Sequence, residues 1–230
     1  MQRRPLAQLR EALRRLEPIE LDEAWVAATF PHARRAAVLA LFYPRDGRDY
    51  LVLTQRTPHL RSHSGQISFP GGRIDPLDFS PAEAALRETH EELGVATDDL
   101  ELYGPLMAEF DPVTPHFVQA SNSLIQPFVG FAHAALAFVP NSAEVAEIIE
   151  VPFEHLLQPT TLEEEVWTIR GERRLVGFYR FGPHKIWGAT ARILRQLIAM
   201  AGGPAPPDGL LPPGETDPAG FPASPTSPTM

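Results

Sequence analysis

The chain has 230 residues, no cysteine and a formal net charge of −9. The lack of thiols excludes disulfides, thiolate nucleophiles and Cys-ligated zinc, and the acidic balance argues against nucleic acid or an anionic membrane as the main partner, since either calls for a basic face. The length suits one domain with a full core, and no run of about 18 apolar residues reads as a membrane span.

Residues 1–16 carry five arginines and no continuous apolar stretch of the kind an export signal needs. A soluble, cytoplasmic protein is therefore expected. Leu6, Leu9, Leu13 and Leu16 space an amphipathic helix over 5–16. Arg35 to Tyr43 and Asp49 to Arg56 read as two strands, joined by Pro44 to Arg48 with Gly47 near the tip. Ser80, Pro81 and Glu83 then fit the N-cap, first and third positions of a capping box, and Gly94 fits a left-handed C-terminal cap, which predicts one helix over 81–93. Leu100 to Phe110 and Leu124 to Phe131 read as further strands, and Ala143 to Glu150 opens a segment that runs into a short helix near 154–157. Residues 165–170 and 173–181 suggest a second hairpin around Gly171, and 187–200 a closing helix. Helices alternating with strands of mixed order predict an α/β fold.

From Gly202 onward nine of the last 29 residues are proline, a composition that buries too little apolar surface to offset the entropy of ordering. A disordered tail is expected, with a Pro-rich ligand as the alternative. The chain thus divides into a lead-in over 1–34, a main domain over 35–201 and a tail over 202–230.

The chemistry concentrates on the predicted helix 81–93. At about 100° per residue, Ala82, Leu86, Thr89 and Leu93 form a stripe that should face the core. Glu88, Glu91 and Glu92, spaced i, i+3, i+4, should lie on the opposite side, where like charges repel. Arg87 can brace Glu91 one turn on, leaving Glu88 and Glu92 for a hard, oxygen-seeking ion such as Mg²⁺ or Mn²⁺. A bare Glu triplet reads as readily as a solvated face. The flanking Phe69-Pro-Gly-Gly72 turn changes that reading.

From Gly72 through Arg87-Glu88 and Glu91-Glu92 to Gly94-Val95, the run resembles the Nudix box. Asp78 takes the place of the box's loop acid, and one extra residue precedes Arg87, which leaves the loop acid's role open. Upstream, Leu53, Thr54, Arg56, Arg61, Gly65, Phe69, Pro70, Gly71 and Gly72 stand at the spacing of the signature carried by the Nudix subfamily of coenzyme A diphosphatases. Thr57 replaces that signature's usual small Ser or Ala.

The resemblance implies a Nudix-type α/β/α sandwich with a mixed sheet, and metal-dependent cleavage of the diphosphate of coenzyme A or its thioesters. Glu88, Glu92, Glu91 and the Gly72 carbonyl would hold Mg²⁺ or Mn²⁺, with Arg87 as support. A further acid acting as general base is expected at Glu147 or Glu144. Arg56, Arg61, His63 and Gln66 are the expected substrate contacts, and Phe117 or Phe110 a platform for adenine. The box is shared with enzymes acting on ADP-ribose, dinucleotides or nucleoside triphosphates, and a non-catalytic nucleotide-binding regulator is the remaining alternative. Either a monomer or a homodimer is compatible with the sequence.

Overall fold

A computed structural model describes residues 5–16, 23–58, 65–98, 100–106, 116–118, 121–169 and 172–204. Helices α1 (Pro5–Arg14) and α2 (Glu23–Thr29) lead into the hairpin of β1 (Arg34–Arg45) and β2 (Arg48–Arg56). Both strands run further than the sequence pattern implies. Asp46 and Gly47, at φ 51° and 75°, close a two-residue turn whose left-handed backbone suits the twist of paired strands.

The two strands do not stay together. They pair only at the turn end, from Phe42↔Leu51 to Arg45↔Arg48. Beyond that they diverge, and the chain after β2 returns to fill the gap. The short strand β3 (Ile67–Ser68) takes the edge of β2 at Thr54 and Gln55, and β4 (Gly71–Arg73) takes the edge of β1 at Ala36 to Val38. On its far side β1 runs parallel to β7 (Ser123–Phe131), itself flanked by β5 (Glu101–Tyr103) and β6 (His116–Val118), while β8 (Val145–Pro152) closes the far edge of β2. This makes a mixed eight-stranded sheet.

Its two faces are both covered, so β1 reads as a near-continuous apolar run. Ala37, Leu39, Leu41 and Tyr43 point to α3 (Pro81–Leu93), where Ala84, Ala85 and Leu93 meet them. Ala40 and Phe42 point the other way, to a core shared by Leu6, Leu9 and Leu13 of α1 and Leu194, Leu197 and Ile198 of α5 (Gly188–Met200). Each fully buried leucine contributes about 2 kcal/mol, so α1 is firmly docked. Arg10 and Arg14 pin it further by pairing with Glu101 of β5.

After the short helix α4 (Phe153–Leu156), β9 (Leu162–Ile169), β10 (Glu172–Phe181) and β11 (His184–Ile186) form a separate antiparallel sheet of three strands. No helix among the described residues is long and apolar enough to cross a membrane. Arg61, His63, Phe110, Gly171 and the proline-rich segment from Ala205 lie outside the described residues.

Candidate active site

Helix α3 forms where its caps dictate. Ser80 Oγ accepts the Glu83 amide at 3.1 Å, Pro81 occupies the first turn, and Glu83 Oε2 reaches back to the Phe79 amide at 2.6 Å, one residue beyond the usual capping-box partner. At the other end Gly94, at φ 68°, donates to the His90 carbonyl at 2.8 Å. The helix covers 81–93 as its sequence predicts.

The predicted burial of its faces needs one correction. The buried positions are Ala84, Ala85, Thr89, Glu92 and Leu93, while Ala82 and Leu86 are only half-buried. Glu92 is therefore on the inner face rather than the outer one, and only 3% of it is exposed. A helix over a sheet buries a broad arc, wider than the stripe that apolar letters mark.

Glu92 is received by backbone and by one arginine. Its Oε2 accepts the Gly71 amide at 3.3 Å, and its Oε1 lies 3.4 Å from Arg56 Nη1. Arg56 arrives there because the β2–β8 register shifts between Gln55 and Arg56, an irregularity of the kind that re-aims a side chain at a sheet edge. Burial nevertheless outweighs these partners and pushes the Glu92 carboxyl up to about 7, with Glu88 and Glu144 adding repulsion. Glu88 is shifted upward for the same leading reason. It rests against Gly72, where an added Cβ would stand 2.3 Å from its Oε2.

Arg87 organises the outer half of the group. Its Nε and Nη2 clasp both oxygens of Asp78, at 2.8 and 3.0 Å, its Nη1 reaches Glu88 at 2.9 Å and Glu91 at 3.1 Å, and Nη2 also donates to the Arg73 carbonyl at 3.2 Å. The brace on Glu91 is as expected, but Glu88 is not left free, since the same Nη1 reaches it as well. The grip on Asp78 gives the loop acid a role that the box spacing left open: it is the buried anchor that aims the guanidinium. Asp78 is held below the usual carboxylate range by that fork. Asp78→Ala should therefore weaken divalent-metal affinity about tenfold, as loss of a residue that orients ligands does; titration calorimetry with Mn²⁺ checks this.

Of the other expected site residues, Gln66 stands where the chain folds back on β2, its carbonyl accepting the Arg56 amide at 3.0 Å. Phe117 packs on Phe30, ring centroids 4.7 Å apart. Glu147 turns toward β11, its Oε1 lying 3.3 Å from His184 Nε2. Glu144 is the acid of that segment that bears electrostatically on both Glu88 and Glu92. It sits in a turn tied to the end of α3, since the Asn141 amide donates to the Glu92 carbonyl at 2.9 Å and the Val139 amide to that of Leu93 at 2.8 Å. Neither these ties nor the register shift has a signature in the spacing of residues.

The donor set fits a hard cation. Three carboxylates, Glu88, Glu92 and Glu144, interact electrostatically, with Arg56 reaching Glu92 and Arg87 reaching Glu88, and the glycine at 72 keeps the space beside Glu88 clear. Among the described residues no three His, Cys, Asp or Glu side chains close into a complete cage. An open arrangement of this kind suits an ion that takes one or two carboxylates and completes its shell with water and substrate phosphate.

The NUDIX domain model matches residues 33–171. The chain belongs to the Nudix family. It is 37% identical to the Nudix hydrolase NudL of Photorhabdus laumondii over 164 residues, covering 71% of this chain and 83% of that one. With NudL of an Enterobacter species it shares 32% over 169 residues, 74% and 83% of the two chains. Among solved structures it is similar to the Nudix domain of Shewanella oneidensis NrtR, complexed with ADP ribose, at 22% identity and a TM-score of 0.43 over 60% of this chain and 88% of that one. This Nudix protein is accordingly a hydrolase of the pyrophosphatase type, within a family that takes nucleotide-derived small molecules and works with divalent metal ions.

Proposed function

We propose that this Nudix hydrolase cleaves the diphosphate of coenzyme A or its thioesters to 3′,5′-ADP and a 4′-phosphopantetheine product, using Mg²⁺ or Mn²⁺. The observation that carries the reading is the signature from Leu53 to Gly72, in register with the coenzyme A diphosphatases and running directly into the box. Its described residues also lie beside the carboxylates: Arg56 at Glu92, Gly71 donating to Glu92, Gly72 against Glu88.

Glu88 and Glu92 are the first ligands for the ion, with Glu91 and the Gly72 carbonyl as further ones. The ion, when bound, neutralises phosphate charge and lowers the pKa of coordinated water. Arg56 then has a second partner available, a phosphate oxygen, for which its fork is well shaped. Arg61, His63 and Gln66 are assigned to the substrate by the same signature. Water adds to one phosphorus, the bridging P–O bond breaks, and the water's proton passes to a carboxylate. Glu144 is the better candidate than Glu147 to receive it, because it bears electrostatically on Glu88 and Glu92 while Glu147 lies against His184.

Incubation with either metal and a panel of coenzyme A, ADP-ribose, NADH and dinucleoside polyphosphates, with products identified by mass, tests the assignment. Coenzyme A should be turned over at the highest kcat/KM, releasing 3′,5′-ADP. A preference for ADP-ribose would overturn it.

A further inference from the structure

Arg56 and Thr57 are neighbours in sequence, and the register shift at the end of β2 sends them to different tasks. Arg56 turns to Glu92. Thr57 is buried, 7% exposed, and makes two hydrogen bonds to the turn that carries Glu144. Its amide donates to the Glu144 carbonyl at 2.9 Å, and its hydroxyl donates to the Ala143 carbonyl at 3.2 Å.

That turn is tied down on its other flank as well. Asn141 accepts the Ala143 amide on its side chain at 3.1 Å and the amides of Glu144 and Val145 on its carbonyl at 3.0 and 2.8 Å, while its own amide is bonded to α3 at Glu92. The Glu144 turn is thus held between α3 on one side and Thr57 on the other.

We propose that Thr57 is a positioning residue for the hydrolytic reaction, its hydroxyl and amide fixing the 141–144 turn that carries Glu144 beside the end of α3. The inference rests on the reading of Glu144 as an acid of the site. It also gives a physical role to the position where this chain departs from the subfamily signature. A Ser supplies the same hydroxyl, and an Ala leaves only the amide bond.

The test is steady-state kinetics, on whichever nucleotide of the panel is turned over best, for Thr57→Val, Thr57→Ser, Glu144→Gln and the double variant Thr57→Val/Glu144→Gln. Valine keeps the volume and the amide and removes only the hydroxyl. The Val variant should lose about fivefold in kcat, the size expected for one lost hydrogen bond, with KM held within about twofold, and Ser should restore kcat. The double variant should be no slower than Glu144→Gln alone, since a clamp has nothing to position once the acid is gone. A Ser variant as slow as Val would assign the effect to side-chain packing and overturn the proposal, as would full activity in Val alongside a crippled Glu144→Gln. A Glu144→Gln variant with normal turnover would instead remove the reading of Glu144, and the proposal with it.

Discussion

Glu92→Gln should cripple turnover while making the metal-free protein harder to melt. Both effects follow from one carboxylate kept inside the fold. In the folded chain burial pushes its carboxyl up to about 7, against 4.5 for a free glutamate. The folded state therefore prefers the protonated form. Below pH 4.5 both states are protonated and Glu92 costs nothing. As pH rises from 4.5 to 7 the unfolded state gives up its proton first, and above 7 the folded metal-free protein carries a penalty of about 3 kcal/mol.

Glutamine removes that penalty, so the Tm of the metal-free variant should exceed that of the parent at pH 8 and converge with it toward pH 5. Adding Mn²⁺ should reverse the order, because only the parent gains from binding. Catalysis should fall by about a thousandfold, the scale of losing a preorganised charge from a reaction centre. Thermal melts with and without chelator, set beside initial rates, check both halves. A variant that melts below the parent at pH 8 without metal would show that Glu92 is stabilised rather than strained by its setting.

Gly72→Ala is the second large effect, and it isolates geometry from fold. An added Cβ would stand 2.3 and 2.8 Å from the two Glu88 oxygens, so the carboxylate has to swing away. The obstructing atoms are the far end of a side chain, which leaves the backbone unforced. Metal affinity and kcat/KM should both drop about a hundredfold, with Tm changed by only a few degrees. Gly71→Ala offers the contrast: its φ of 142° and a Cβ 2.4 Å from the Ala37 carbonyl set it against backbone, so that variant should fail by unfolding. Mn²⁺ titration of the Gly72 variant decides the point, and unchanged affinity would separate Glu88 from the ion.

The capping residues made α3 legible from its sequence, because Ser80, Glu83, Pro81 and Gly94 act locally and need no partner from elsewhere. What lies across the helix was less legible. Glu92 is a polar letter that tertiary contacts bury, and nothing in residue spacing announces the Gly71 amide and Arg56 that receive it. The same limit explains β3, β4 and β11, which hold two or three residues each and are too short to show a period. Leu100 to Phe110 reads as one strand from its apolar content, yet the described strand stops at Tyr103, just before Gly104-Pro105. The second hairpin was visible in its two long strands, and the aromatic packing of Trp167 against Trp187 that joins it to the start of α5 was not.

The divergence of β1 from β2 bears on how such a protein changes over evolutionary time. The half proposed to bind the ion hangs on β1, through the pairing of Gly72 with Ala37, and on α3 above it. Arg56, the proposed phosphate contact, hangs on the end of β2, with β8 supporting that strand along its length. The stretch between the two branches is anchored at its ends by backbone pairing, by the Thr57 hydroxyl at the Ala143 carbonyl, by the Thr190 hydroxyl at the Ile67 carbonyl and by buried Phe69. Under the proposed function, substitution at Arg61 or His63 changes the choice of nucleotide while the carboxylates of α3 are inherited intact on the other branch.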